Sequence, residues 1–245
     1  MQCRRCAQPL DRPGDYCLSC HTPNAETAVV DCGRDRATVT CLLDGEVVAE
    51  RTITTRPESD PEREPVELRN FAGLVADELR RKRPEEVYAT GNREVVGAVR
   101  AQVHYPFYRV ADGGDDPVEA VQARRGDAPL EVVDKPVAEK LGGAHTTLVG
   151  DRDGRRAIET VAGHPHVKKV IPGPIDAGGN GSRSGVRAKA TRADGTGNVR
   201  LLLRDGSSVQ ENRIVTTADS RERGEAVRAD LNDALSEAGL RNGDG

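Results

Sequence analysis

Aromatic side chains are nearly missing from this chain: two Phe, four Tyr and no Trp occur in 245 residues. A nucleic-acid surface built on stacked rings therefore has few residues to draw on. Long apolar runs are missing too. No stretch approaches the roughly 18 to 20 apolar residues of a membrane-spanning helix, and residues 1–6 are polar and cysteine-bearing where a secretory signal needs an apolar run. The expectation is a cytoplasmic protein with no membrane partner. Charge of one sign is also lacking: the formal net charge is -4 although charged residues make up 31% of the chain, so neither a wholly basic nor a wholly acidic partner is implied. Lysine is scarce, the basic side chains are almost all arginine, and Asp-rich loops recur, a composition associated with a GC-rich, salt-adapted source.

What is present begins at once. Cys3 and Cys6 form one Cys-x-x-Cys knuckle, and Cys17 and Cys20 form a second after a ten-residue interval. Four thiolates at this spacing suit the tetrahedral geometry of Zn²⁺, and metal binding can fold a segment too small to own a core. Pro9, Pro13 and Gly14 supply the turn that returns the second knuckle to the first. Residues 1–25 thus read as a zinc ribbon whose closed four-cysteine site is structural. Two disulfides or a redox pair are the competing readings; a reducing compartment and the lack of a thioredoxin-like context favour zinc.

Residues 26–111 read as an α/β domain of order βββαβαβ. A three-stranded meander covers 27–31, 37–43 and 46–53, with Asp44-Gly45 as a two-residue turn. A charged, Pro-rich stretch at 56–65 leads to a helix over 66–82, with Leu68, Phe71, Val75 and Leu79 on one face. A strand at 87–90, a helix capped by Asn92 and a strand at 107–110 complete the series. Cys32 and Cys41 fall among the strands and read as small core hydrophobes. The order is similar to the ribonuclease H-like fold, and Asp31 matches the position of that superfamily's first catalytic aspartate. The next parallel strand ends in Tyr88-Ala89-Thr90-Gly91 with no carboxylate, and a single Asp does not hold two Mg²⁺ ions, so this domain is expected to be catalytically silent.

Residues 112–136, rich in Asp, Gly and Pro, read as a solvated linker. Residues 137–240 read as an α+β domain of order βαβββα: a strand at 146–149, a helix at 155–162, a strand at 167–171, a hairpin over 185–204, a strand at 209–217, and a last helix capped by Ser220 and stopped by Gly239. In the hairpin, Val186, Ala188 and Ala190 alternate with Arg187, Lys189 and Thr191, and Val199, Leu201 and Leu203 alternate with Arg200 and Arg204. With Arg183 and Arg192 added, this region forms a basic stripe fit for phosphate contact, and the glycine-rich loop 178–185 beside it lacks P-loop spacing. The competing reading is an ordinary solvated strand face. The histidines offer another site: if the strands at 146–149 and 167–171 pair in parallel, His145, His164 and His166 fall at one edge and can ligate a second metal with an open position.

The ribbon, together with GGAHTTLVGDRDGRRAIETVAGHPHVKKVIPGPID, resembles archaeal zinc-ribbon proteins whose C-terminal part is a domain of unknown function called predicted metal-binding. The resemblance covers the ribbon and residues 140–217. It implies a metal and supplies neither an activity nor a ligand set.

The leading expectation is a zinc-containing RNA-binding or ribonucleoprotein-associated factor in which Arg183, Arg187, Lys189, Arg192, Arg200 and Arg204 contact phosphate. The alternative is a metal-dependent hydrolase or phosphoesterase using His145, His164 and His166. A protein–protein adaptor built on the ribbon is a third reading.

Overall fold

The structure, a computed structural model, describes residues 1–110, 116–123, 129–143, 147–177 and 185–241. The chain forms two compact units, Met1–Val132 and Val133–Gly245.

The first unit is built on a six-stranded sheet. Strands β1 (Thr27–Cys32), β2 (Arg36–Leu43) and β3 (Glu46–Thr54) form the expected meander. The Asp44-Gly45 turn has φ of 53° and 85°, the double positive φ of a type I′ turn, and it sets Leu43 opposite Glu46. Helix α1 (Glu64–Lys82) follows, then β4 (Glu86–Gly91), α2 (Arg93–Arg100) and β5 (Phe107–Arg109). Asn92 caps α2 by accepting from the backbone N–H groups of Glu94 and Val95. The strand order is β3-β2-β1-β4-β5, with a sixth strand beyond β5; β1, β4 and β5 are mutually parallel and the meander is antiparallel.

Residues 112–136 depart from the linker reading. Residues 117–123 form α3 and Leu130–Glu131 form β6, which pairs antiparallel with β5 at the edge of the sheet; residues 111–115 and 124–128 lie outside the described residues. The segment is polar because α3 has only a narrow apolar side. Val121 packs with Val29, Leu42 and Val110 on the sheet face opposite the main core, joined by Tyr88, Val118 and Ala120. The main core fills the other face, where Phe71, Val75 and Leu79 of α1 and Val95, Val96 and Val99 of α2 meet Val30, Val39 and Val87. Cys32 and Cys41 are buried there, and burial pushes both thiols up to about 12, so they remain neutral core groups.

The second unit holds α4 (Val137–Lys140), α5 (Asp151–Gly163), β7 (Val167–Ile171), β8 (Ile175–Asp176), β9 (Arg187–Ala193), β10 (Val199–Asp205), β11 (Ser208–Thr216) and α6 (Arg221–Glu237). Its sheet runs β7-β11-β10-β9, all neighbours antiparallel, with β8 also on β11. α5 packs mainly on β7 and α6 on β9. Ser220 caps α6 as expected, and Gly239 follows its end at φ 68°.

The strand expected at 146–149 is not formed by residues 147–149; residues 144–146 lie outside the described residues. The apolar residue there anchors a loop instead. Val149 is buried, and its N–H donates to Oε1 of the fully buried Gln210, whose Nε2 donates to the carbonyls of Thr147 and Gly173. Gly150 then turns the chain into α5 at φ 82°, four residues earlier than the periodicity predicts. The parallel pairing on which the His145, His164 and His166 grouping was argued is therefore not present among the described residues.

Candidate functional site

The four ribbon cysteines come together. Their sulfur atoms all lie within 4.8 Å of one another, with Cys3 Sγ to Cys20 Sγ at 3.5 Å and Cys6 Sγ to Cys17 Sγ at 3.7 Å. A tetrahedron with metal–sulfur bonds of about 2.3 Å has edges of about 3.8 Å, so the cradle fits a zinc-sized ion. The two knuckles share one local design. Cys3 N–H donates to Gln8 O at 2.9 Å and Cys17 N–H donates to Thr22 O at 3.0 Å, and the residue after each second cysteine, Ala7 or His21, sits at φ 57° or 56°. These turns aim backbone N–H groups at sulfur. The Cys3 thiol is lowered to about 6 by the N–H groups of Cys6 and Arg5, and Cys17 is lowered chiefly by that of Cys20. Cys6 receives the Gln8 N–H, yet its thiol neighbours and burial push it up to about 12. Without a cation, then, the four sulfurs do not all ionise; a soft divalent ion removes that repulsion and takes them all as thiolates. With all four positions filled by cysteine, such a centre has no open position for a substrate.

Because Ala7 and His21 occupy a conformation that a Cβ disfavours, Ala7→Gly or His21→Gly is expected to leave the metal content unchanged. Each should raise the stability of the metal-loaded ribbon by about 0.5 to 1 kcal/mol, read as resistance to a competing chelator.

The ribbon is seated on the end of α1 by charge. Lys82 Nζ lies 2.8 Å from Asp15 Oδ1, 3.2 Å from Glu78 Oε1 and 2.7 Å from the Pro13 carbonyl, and all three charged side chains are buried. Arg81 adds a bond to the other oxygen of Asp15, and the Tyr16 N–H donates to the Arg81 carbonyl, one of the last acceptors of the helix. Burial alone would raise the Asp15 carboxyl, but Arg81 and Lys82 outweigh it and hold it below the usual range. Fully buried Asn24 closes the ribbon, accepting from Arg4 N–H and donating to the carbonyls of Asp15 and Thr22.

Of the expected histidine trio, His145 lies outside the described residues. His164 and His166 are both buried, with ring centroids 5.6 Å apart. His164 Nδ1 accepts from the His166 N–H, so its proton sits on Nε2, which donates to Asp230 Oδ2 at 2.9 Å. His166 Nδ1 faces the Thr217 hydroxyl at 3.4 Å. Among the described residues, only the four cysteines bring three or more ligating atoms close enough to hold a metal. Beside this pair, Lys140 is almost fully buried, with its ammonium donating to the His164 carbonyl at 3.3 Å. Burial lowers it to about 8. A depressed folded value means the unfolded state binds more protons between about pH 8 and 10.5, so stability rises with pH across that window. Lys140→Met is expected to stabilise the protein at pH 7 by about 1 to 2 kcal/mol, measured by denaturant unfolding.

The basic stripe is a built feature of the second sheet. Ala188, Ala190, Val199, Leu201 and Leu203 are buried on the helix side, while Lys189, Arg192 and Arg204 are exposed and Arg187 and Arg200 half-buried on the other. Strict alternation would put Arg192 on the apolar side with Ala188 and Ala190. A bulge at Thr191 prevents it: Leu201 pairs with Ala190 but Arg200 pairs with Arg192, returning that arginine to the outer face. Arg213 of β11, opposite Arg200, joins the same face and was missed by the hairpin argument. The alternation of exposed Glu211 and Arg213 with buried Gln210, Asn212 and Ile214 was the available signal. Arg200 pairs with Glu211, and Arg213 lies 4.0 Å from Asp194 Oδ2. A concavity of about 330 Å³ lies at this end, bordered by Arg192, Arg200 and Arg213. Arg183 lies outside the described residues.

Comparison with known proteins bears on metal binding only in the second part of the chain. Residues 136–233 match the model of a family described as "Predicted metal-binding protein (DUF2103)". The resemblance drawn from the sequence thus holds for those residues and for the four-cysteine cluster. No curated protein matches the chain. Among solved structures, T. thermophilus RuvC in complex with Holliday junction substrate is similar over 41% of this chain and 69% of its own, at 20% identity and a TM-score of 0.31. The Aquifex aeolicus PPX-GPPA enzyme is similar over 86% of this chain and 63% of its own, at 13% identity and a TM-score of 0.21. Scores this low assign neither a fold nor an activity. No helix among the described residues is long and apolar enough to cross a membrane.

Proposed function

We propose that the chain is a zinc-binding, RNA-binding protein: the ribbon is a structural zinc site, the first unit is a catalytically silent scaffold of ribonuclease H-like order, and the outer face of the second sheet holds phosphate. The observation that carries this reading is the charge on that face. Arg187, Lys189, Arg192, Arg200, Arg204 and Arg213 converge from three adjacent strands against the acids Asp194 and Glu211, in a chain whose net charge is -4. A localised excess of arginine in an acidic protein is what counterion release from a phosphate backbone requires. The ribbon offers no open metal position, so the centre supports structure and not hydrolysis.

Binding should be electrostatic and backbone-directed. With about four phosphate contacts, affinity is expected to fall roughly 100-fold between 50 and 200 mM salt. The variant combining Arg187→Glu, Lys189→Glu, Arg200→Glu and Arg204→Glu should lose it altogether. Fluorescence anisotropy with labelled RNA checks both; a wild-type protein that binds no RNA at low salt removes the proposal. The rival hydrolase reading puts a second metal at His145, His164 and His166, of which His164 and His166 lie buried side by side. Elemental analysis decides it: one zinc per chain is expected, unchanged by His164→Ala and His166→Ala, whereas a second metal lost in those variants would favour catalysis.

A further inference from the structure

We infer that the basic face is shaped for a double helix rather than a single strand; this rests on the nucleic-acid reading above. Two features argue for it. The first is chemical. All six aromatic residues of the chain, Tyr16, Phe71, Tyr88, Tyr105, Phe107 and Tyr108, lie in the first unit, and residues 133–245 contain no Phe, Tyr or Trp. Proteins that hold single strands stack the bases on aromatic rings, a contact that this sheet has no side chains to make. What it offers is guanidinium groups, which recognise the phosphate backbone common to both strands of a duplex.

The second feature is the spacing of those groups. The cross-strand register sorts them into two lines that run across the sheet. Arg187 sits opposite Arg204, while Arg192 sits opposite Arg200 and Arg200 opposite Arg213. Along β10 the two lines are four residues apart, which at about 3.3 Å per residue is roughly 13 Å. The line between them, Lys189, Leu202 and Glu211, contains no arginine and one acid. A single backbone following one line would leave the arginines of the other line without a phosphate. Two backbones flanking a groove would each meet an arginine line, leaving the mixed middle line over the groove. A separation of this size suits the wide, shallow minor groove of A-form RNA, with its 2′-hydroxyls over Lys189 and Glu211, and is comparable with the roughly 12 Å major groove of B-DNA. It exceeds the roughly 6 Å minor groove of B-DNA. The carboxylate contacts on the Arg200 line, Glu211 on Arg200 and Asp194 near Arg213, are solvent-exposed pairs of the kind a phosphate displaces at little cost. Arg187, Arg192 and Arg204 have no carboxylate partner among the described residues.

The test measures anisotropy of the full chain at about 50 mM salt, where phosphate contacts are strongest, with a duplex RNA of about 20 base pairs, each of its strands alone, and the same sequence as duplex DNA. Duplex RNA is expected to bind at least about tenfold more tightly than either strand. Arg187→Gln with Arg204→Gln, and separately Arg192→Gln with Arg213→Gln, should each reduce duplex affinity about tenfold while changing single-strand affinity less. Both pairs lie on the sheet's outer face, and unchanged circular dichroism and zinc content confirm folding. A single strand that binds as tightly as the duplex overturns the inference, as does a line whose removal leaves duplex affinity unchanged. Equal binding of duplex DNA upholds the inference, since the spacing also fits the B-DNA major groove. Binding to none of the four overturns the underlying reading, and the inference with it.

Discussion

Replacing Lys82 with Ala is expected to destabilise the first unit by about 3 kcal/mol or more, the cost of breaking a buried ion pair by removing one partner. Lys82 is the hub at which the ribbon meets α1: its ammonium touches Asp15 of the ribbon, Glu78 one turn back on the helix, and the Pro13 carbonyl. Without it, two buried carboxylates face each other. Each keeps an arginine, Arg81 on Asp15 and Arg12 with Arg51 on Glu78, and this limits the loss. The measurement is urea unfolding of the metal-loaded protein, with hydrogen exchange at the last turn of α1 reporting where the stability goes. Chelation should act at the same place by a gentler route. Removing the ion unfolds a ribbon too small to stand alone, but the freed Lys82 and Glu78 then meet water, so the last turn of α1 should fray while the sheet survives. Acid should reveal the same linkage. The Asp15 carboxyl is depressed in the folded protein, so its contribution is complete above the ordinary aspartate range and is lost as pH falls toward the folded value. In Lys82→Ala that depression shrinks and acid unfolding should begin at higher pH.

The second large effect is expected at Asn232. The outer edge of β9 is not left open: Asn232 of α6 accepts from the Ala190 N–H at 3.0 Å and donates to the Ala190 carbonyl at 2.9 Å, as a neighbouring strand would. Glu225 Oε1 accepts from the Ala193 N–H, and the Leu240 carbonyl accepts from the Ala188 N–H. Asn232 is buried, so Asn232→Ala orphans a donor and an acceptor together and should cost roughly 2 to 4 kcal/mol. It also exposes a strand edge, the ordinary template for pairing between chains. The expected result is faster amide exchange along β9 and concentration-dependent self-association by light scattering. Unchanged exchange at Ala190 would mean that the edge is held by packing alone.

Much of this protein was legible before any coordinates. The knuckle spacing specified the four-cysteine centre, because a tetrahedral ion restricts which cysteine pairs can meet. Asp44-Gly45, Asn92, Ser220 and Gly239 marked a turn, two caps and a stop, because each of those roles depends on local backbone chemistry. The alternation in 186–190 and 199–204 separated core from surface, because a strand's side-chain period is two. Long-range pairing decided the rest. Residues 147–149 looked like a strand, yet their N–H partner is a glutamine from β11, which no local pattern encodes. Residues 117–123 and 130–131 looked like linker because each buries only a few side chains, against a sheet formed by residues remote in sequence. The Asp15–Lys82 pair joins residues 67 apart, and nothing in either neighbourhood announces the other. On the basic face the sequence determined which charges exist and the sheet decided which of them act together: the bulge at Thr191 turns Arg192 outward, and pairing with β11 brings Arg213 beside Arg200, because a side chain's direction follows from local geometry while its neighbours follow from register.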